Sequence, residues 1–523
     1  MQAYTMKQTL LAIDDVSLPF RKNVGLYLSK PAVRPEPVLA PSPFGSGAPD
    51  DSAAHFYGTV LHDEGLFRMW YYAAHWGKNP DWPPRIMRQL AKRPGWAPAD
   101  YEGYAGPICY AESDDGITWR KPALGQVLFK GSRANNVVAI PHVLVGAVNV
   151  IKDTADPDPA RRYKIVYEFF PDQSDPIIEE YGSRPTIALA VSPDGIHWAV
   201  TAIPFKDQFV EQSSFIRHNG QYIVHYQVMD TWAGWFAEGG TPCGRTGVAR
   251  VTCDWDRWPD LVAEAFALAE PEDQSKRGMN GAYDQVHIGV GAASLGNVCV
   301  GLYGLWHNAD NNGAFDQISG DLGLLVSNDG VHFREPVKGH RFLRREDSLA
   351  RPVPGYNFNT VLCQGNGILN VGDETRIYHG RWRNAGAYAK ADALKYSSGE
   401  VALATLPRDR WGALGLNPDA SVGTICSAAL TLPAHGGELR INADGAAGLV
   451  VDLLDEQFRP IAGFADGKVR RADSLNARVD WPEHALDELA GQRVRAQVRL
   501  QRLPDSLPRV YALYLNGSEA DGS

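Results

Sequence analysis

No apolar stretch of this chain approaches ~20 residues, so nothing in it reads as a membrane span. No long basic run occurs either. Lys and Arg number 51 against 61 Asp and Glu, a formal charge of -10. That balance argues against nucleic acid or an anionic membrane as the main partner. The first ten residues hold no secretory apolar core and no cleavage site, so a cytoplasmic protein is expected. CxxC spacing is missing as well. The six cysteines (Cys109, Cys243, Cys253, Cys299, Cys363 and Cys426) are scattered, several of them in apolar strand-like runs. They read as free buried thiols, and neither a zinc site nor a disulfide framework nor any cofactor is expected. Helical periodicity is scarce, with only residues 86–92 reading as a short helix inside a loop. What is present is 44% hydrophobic and 21% charged residues over 523 positions, the balance of a globular chain with ample core.

Against this background one pattern stands out. Residues 113–119 (SDDGITW), 192–198 (SPDGIHW) and 327–333 (SNDGVHF) are copies of one another. Each follows a β-rich run, and Asp-Gly after such a run marks a tight turn, because Gly accepts positive φ. The aromatic past the turn can fold back onto the strand it left. Two weaker copies, 251–258 and 401–411, complete a series at intervals of roughly 60–80 residues, longer than common propeller repeats. Two further strand candidates precede each copy, for example 55–62 and 67–72 before the first, with polar punctuation between most pairs. Three strands and an outer fourth, five times over, describe an all-β five-bladed β-propeller over residues 1–414. From 415 to 523 the short strands with turns between them predict a C-terminal β-sandwich. The polar end of the chain is expected to fray.

Blades converge on an axis, so residues at the starts of the inner strands meet in one funnel. Blade one starts after Asp50 and Asp51. Blade three starts near Glu211 and Gln212, and blade four near Asp284, Gln285 and His287. Blade two shows Asn149 and Asp153 but no carboxylate at its start, and blade five offers Asn359 and Gln364. The acids of the repeated turns, Asp115, Asp194 and Asp329, sit on outer connections and are poor catalytic candidates. The 308–313 stretch has the composition of a calcium loop but lacks spaced acidic ligands, so a turn and no metal is expected there.

The blade order, the Ser-x-Asp-Gly-x-x-Trp turns and the segment 60–72 (VLHDEGLFRMWYY) resemble the five-bladed glycoside hydrolase superfamily, including families 32, 43, 68 and 130. The stretch 455–464 (DEQFRPIAGF) is similar to the sandwich appended to family 32-like propellers. The chain departs from family 32 itself: it has no WMNDPNG in blade one, no RDP in blade two and no Glu-Cys pair in blade three. The resemblance implies a glycosidase acting on small oligosaccharides or glycosides, with furanosides among the candidates. Its layout makes Asp51 the nucleophile or base, with Asp50 as the alternative, and Glu211 the general acid. Asp284 is the third candidate, as acid or as a charge that tunes Glu211. Trp70, Tyr72, His75 and Trp306 are expected to wall sugar subsites together with Tyr71, Trp76, Trp232, Trp235 and His307, although aromatics in a propeller also pack between blades. His55, Gln212, Gln285, His287 and Arg381 are candidate hydroxyl ligands. The long insertion at 77–104 is read as a cover for the funnel or a contact with another copy of the chain, leaving a homo-oligomer open. Two alternatives stand beside hydrolysis. A family 130-like phosphorylase would need a cationic pocket, for which Arg217, Arg245, Arg277 and Arg381 are candidates. A non-catalytic carbohydrate-binding propeller would need no acid pair.

Overall fold

The computed structural model describes residues 8–77, 79–82, 106–171, 185–202, 205, 210–228, 244–277, 281–307, 318–384, 399–434, 437–471 and 474–517. Several features singled out above lie outside this set: most of the 77–104 insertion with its expected helix, Trp232, Trp235, Cys243 and the 308–313 loop.

No α-helix occurs among the described residues; the elements are strands joined by turns and short 3-10 segments. The protein is an all-β, five-bladed propeller followed by a β-sandwich. Blade one is Ala53–Asp63, Leu66–Ala74 and Ile108–Ser113. Blade two is Val145–Lys152, Tyr163–Phe169, Thr186–Ser192 and Ala199–Ala202. Blade three is Glu211–His218, Gln221–Val228, Thr246–Thr252 and Ala263–Phe266. Blade four is Gln285–Ser294, Cys299–His307, Ser319–Ser327 and Arg341–Leu343. In blade five, Asn359–Cys363 and Ile368–Val371 both pair with Glu374–Asn384, which pairs in turn with Gly399–Pro407.

Middle strands such as Thr186–Ser192 and Ser319–Ser327 are buried from end to end. Neighbouring blades cover both faces of each sheet, so these strands read as near-continuous apolar runs. The sandwich strand Arg493–Gln501 instead alternates in burial residue by residue, because one of its faces meets solvent.

The repeated turns fasten the blades together. In each copy the Ser hydroxyl accepts the Gly N–H at 2.9 Å, in Ser113–Gly116, Ser192–Gly195 and Ser327–Gly330. The Asp carboxylate accepts the next two N–H groups at 2.7–2.8 Å. The Gly stands at φ +72°, +78° and +75° in turn, a conformation open to it for want of a Cβ. Its carbonyl then accepts from the blade before: from Tyr378 for Gly116, Trp70 for Gly195 and His225 for Gly330. The turn of one blade is thus docked on the second strand of its predecessor.

At the axis all five inner strands are irregular. Register slips fall between His55 and Thr59, Val145 and Ala147, Gln212 and Ser214, and His287 and Val290, and in blade five the inner strand breaks between Cys363 and Ile368. Such bulges re-aim side chains. Here they free polar groups to bond from blade to blade around the axis. Val150 N–H donates to Thr59, Gln212 to Asn149, Ser214 to the Val290 carbonyl, Gln364 to the His287 carbonyl and Asn366 N–H to the Gly58 carbonyl.

The boundary drawn at 414/415 needs correction at the N-terminus. Gln8–Leu11 pairs with Arg509–Gly517, Phe20–Lys22 with Val422–Cys426, and Val24–Leu28 with Gly412–Leu416. Residues 8–28 therefore belong to the sandwich. Only then does the chain reach the propeller, where Ala32–Val33 adds an outer strand to blade five. The two parts share one apolar seam, in which Leu11, Ile13, Trp411 and Tyr514 pack against Leu302, Leu324 and Leu362.

Candidate active site

The funnel gathers groups from all five blades. Glu211 opens the inner strand of blade three and stays partly accessible, while Glu168, near the end of the second strand of blade two, is buried. The backbone N–H of Gln212 donates to Glu168 Oε2 at 2.9 Å, which seats the two acids side by side. Burial pushes Glu168 well above the usual carboxylate range, and the charge of Glu211 pushes it further, against the single backbone donor. Burial also raises Glu211, against the opposing pull of Arg245 and the Gln227 amide. Gln227 is itself fixed, because its Oε1 accepts the Ile288 N–H at 2.7 Å.

On the blade-four side stand His287 and Trp306, ring centroids 4.2 Å apart. Arg245 lies 3.6 Å from Glu211 and 3.4 Å from His287 Nδ1, with its guanidinium carbon 4.7 Å from the Trp306 ring centre. Across the funnel the Tyr57 hydroxyl meets His287 Nε2 at 3.0 Å. Tyr57 continues into an aromatic wall of stacked rings, Tyr72 at 6.2 Å and then His55 4.8 Å beyond, with Trp382 of blade five edge-on to His55 at 6.5 Å. Burial holds His55 neutral, its pKa down to about 3. Burial and then the Arg245 charge push His287 well below its ordinary value. The funnel therefore combines two carboxyls of raised pKa, one guanidinium, two neutral imidazoles and flat ring faces. It can give and take a proton, and it offers ring faces to the C–H side of a sugar.

Of the residues expected here from sequence, Glu211, His55, Tyr72, His287 and Trp306 meet in this cluster. Others stand elsewhere. Asp51 is buried, and its two oxygens accept the backbone N–H groups of Trp76 and Gly47 at 2.8 and 2.9 Å. Asp50 is buried against Lys121, Ser42 and Tyr71. Asp284 is exposed and bonds to His307 Nδ1 at 2.9 Å, while His307 Nε2 meets the buried Asp321 at 2.7 Å. Trp70 is spent on the Gly195 turn. His75 packs between Phe129 and Trp82, at 4.9 and 5.9 Å. Gln212 holds Asn149 and the Val166 carbonyl, and Gln285 donates to the Gly281 carbonyl. Arg381 faces away from the funnel wall, donating to the carbonyls of Arg34 and Pro35 and so pinning the N-terminal strap to blade five. Of the other arginines considered for a cationic pocket, Arg217 is paired with Asp153 and Arg277 with Glu270, leaving Arg245 in the funnel.

Glu168, Tyr57 and Gln227 were not anticipated from sequence. A signal for Glu168 existed: it is the lone acid in the largely apolar run Tyr163–Phe169, where an unpaired charge is expensive to bury.

No family model matches this chain, and no curated protein matches it. Solved structures are similar to it at low identity. One comes from work on mannoside phosphorylases of glycoside hydrolase family 130, which includes hydrolases that target β-1,2-mannosidic linkages in Candida mannan. It shares 12% identity over 76% of this chain and 97% of its own, with a TM-score of 0.41. A glycosyl hydrolase from Bacteroides ovatus shares 12% over 77% of this chain and 97% of its own, TM-score 0.43. A family 43 arabinoxylan arabinofuranohydrolase from Bacillus subtilis, in complex with cellotetraose, shares 10% over 92% of this chain and 99% of its own, TM-score 0.37. Families 43 and 130 are both among those that the sequence motifs resemble.

Proposed function

We propose that this protein is a carbohydrate-active enzyme that cleaves glycosidic bonds in the propeller funnel, with Glu168 and Glu211 as its acid pair. The observation that carries the reading is the pairing itself: two adjacent carboxyls, both raised, of which Glu211 faces Arg245 and the Gln227 amide while Glu168 has one backbone donor. Glycoside cleavage needs one group to protonate the leaving oxygen and another, ionised, to attack the anomeric carbon or activate the attacking water. Environments that push two carboxyls apart assign those roles. Glu168 has the stronger hold on a proton and is the donor. Glu211, beside Arg245 and the Gln227 amide, is the ionised partner. This reverses the role expected for Glu211 from sequence, because donors aimed at a carboxylate favour its charged form. Asp51 is left out of the acid pair, its oxygens being engaged by the backbone N–H groups of Gly47 and Trp76. Asp284 is left out as an exposed partner of His307. The aromatic wall of His55, Tyr72 and Tyr57 on one side and Trp306 on the other would sandwich a sugar ring.

The test is a screen of aryl glycosides and natural oligosaccharides with and without inorganic phosphate, run on the parent protein and on Glu168→Gln and Glu211→Gln. Turnover independent of phosphate and lost in both variants supports hydrolysis by this pair. Turnover that requires phosphate makes the reaction phosphorolysis, with Arg245 the funnel's cation for it. Glycan binding without turnover, unchanged in both variants, overturns the catalytic reading.

A further inference from the structure

Arg245 has more contacts in the funnel than any single task requires. It stands immediately before the third strand of blade three, Thr246–Thr252, and is almost fully buried. From there it touches Glu211 of its own blade and both His287 and Trp306 of blade four. We propose that Arg245 is a positioning residue: it anchors the Glu211 carboxylate and, through His287, the Tyr57 hydroxyl, so that the proton of the acid pair rests on Glu168. This rests on the reading of Glu168 and Glu211 given above and adds to it the device that separates their roles.

The chemistry of the contacts carries the inference. A guanidinium only donates, so the Nη1–H bond to His287 Nδ1 makes that nitrogen an acceptor. The proton of the neutral imidazole then sits on Nε2, which donates to the Tyr57 oxygen 3.0 Å away. The Tyr57 oxygen is thereby an acceptor in this bond, and its own O–H is turned toward other partners. Trp306 covers one face of the guanidinium, keeping it in the plane that reaches both Glu211 and His287. Both contacts run from Nη1, whose two N–H bonds diverge within the guanidinium plane; lysine could supply the charge but not that fixed plane.

The titratable groups that face this cluster are Glu168 from blade two, Glu211 from blade three, Tyr57 from blade one, His287 and Tyr283 from blade four, and Cys363 from blade five. Glu270 is paired with Arg277 at 3.6 Å. Among the described residues Arg245 is thus the cation of the cluster, and its removal takes away the charge that opposes Glu211.

The experiment compares the parent with Arg245→Gln and Arg245→Lys, in pH profiles of kcat/KM on a substrate found in the screen. In the Gln variant the acidic limb should move up by about one pH unit, since Glu211 then ionises later. In the Lys variant the limb should stay near the parent's while turnover falls, because charge is kept and the planar geometry at Nη1 is lost. A Gln variant that loses turnover with both limbs unmoved overturns the proposal and makes Arg245 structural. A measurement without activity stands beside it: 15N spectra of histidine-labelled protein. These should show His287 as the Nε2–H tautomer in the parent and a mixture in the Gln variant; the same tautomer in both also overturns it. Should the Gln variant fail to fold, the Lys variant alone decides by its limb and its tautomer. Failure of the underlying reading looks different, because Glu168→Gln and Glu211→Gln would then retain turnover.

Discussion

The turns at Gly116, Gly195 and Gly330 and the funnel around Glu211 both bury polar groups, and they treat them in opposite ways. In a turn, the Ser hydroxyl and the Asp carboxylate are met by donors within three residues. The N–H groups of Thr118 and Ile117 hold Asp115 down at about 2, a carboxylate with nothing left to do. In the funnel, Glu168 receives one backbone donor and faces a second acid, so burial and repulsion hold its pKa up. The satisfied carboxylates fix the turns whose Gly carbonyls dock one blade on the next. The unsatisfied ones store the capacity to move a proton, at the expense of stability.

If the two regions are separable in this way, substitutions should sort cleanly. The largest effect belongs to the acid pair. Glu168→Gln and Glu211→Gln should each lower kcat by about 100- to 10,000-fold, and the double variant by little more, with circular dichroism unchanged. Additive losses would break the claim that the two act as a unit. Next come the turns. Gly195→Ala would hold a Cβ at φ +78°, 2.9 Å from Trp70 Cζ2, and should destabilise by about 1–3 kcal/mol in denaturant titrations. Trp70→Phe leaves the buried Gly195 carbonyl without its indole donor and should cost about 1–3 kcal/mol. Both should leave kcat at the parental level. A fall in kcat with stability intact would tie the turns to the chemistry and break the comparison.

Smaller, and of opposite sign, is the effect of Glu168→Gln on stability. A carboxyl whose folded pKa lies above its unfolded value of about 4.3 binds protons more tightly in the native state, so its contribution declines as pH rises through the folded value. The neutral amide removes that penalty. The variant should therefore be more stable than the parent at pH 8 by about 0.5–2 kcal/mol, and the gap should close toward pH 4. The least effect is expected at His307. Burial opposes its charge, but its bonds to Asp284 and Asp321 outweigh this and hold it at about 9. Its stabilisation is complete below its unfolded value of about 6.5 and is lost as pH rises through about 9. Thermal melts between pH 6.5 and 10 should fall more steeply in the parent than in His307→Gln; parallel curves would show that the pairs with Asp284 and Asp321 contribute nothing.

The propeller was legible because its repeat is punctuated by one turn whose residues recur. The sandwich was legible only in part. Strands such as Arg493–Gln501 alternate and read clearly, yet the assignment of residues 8–28 to the sandwich depends on pairing with strands near the other end of the chain. In the funnel, His55, Glu211 and His287 were found by asking which residues lie at or near the starts of the inner strands, and Tyr72 and Trp306 by asking which aromatics stand near the ends of the strands beside them. Trp70 and Tyr72 show the weakness of that rule. Two residues apart on one strand, one is spent on the Gly195 turn and the other stands in the aromatic wall.

What the sequence alone determined is whatever a few neighbouring residues can settle among themselves. The Ser hydroxyl bonds the N–H three residues on, and the Asp carboxylate the N–H groups two and three residues on. Three such turns, with two weaker copies in order between and after them, define five blades. The site was decided by the closed ring. Glu168 meets Gln212 across 44 residues, Arg245 meets His287 across 42, and Tyr57 meets His287 across 230. A carboxyl's affinity for its proton depends on burial and on every charge near it. Those neighbours come from different blades, and no local pattern records them.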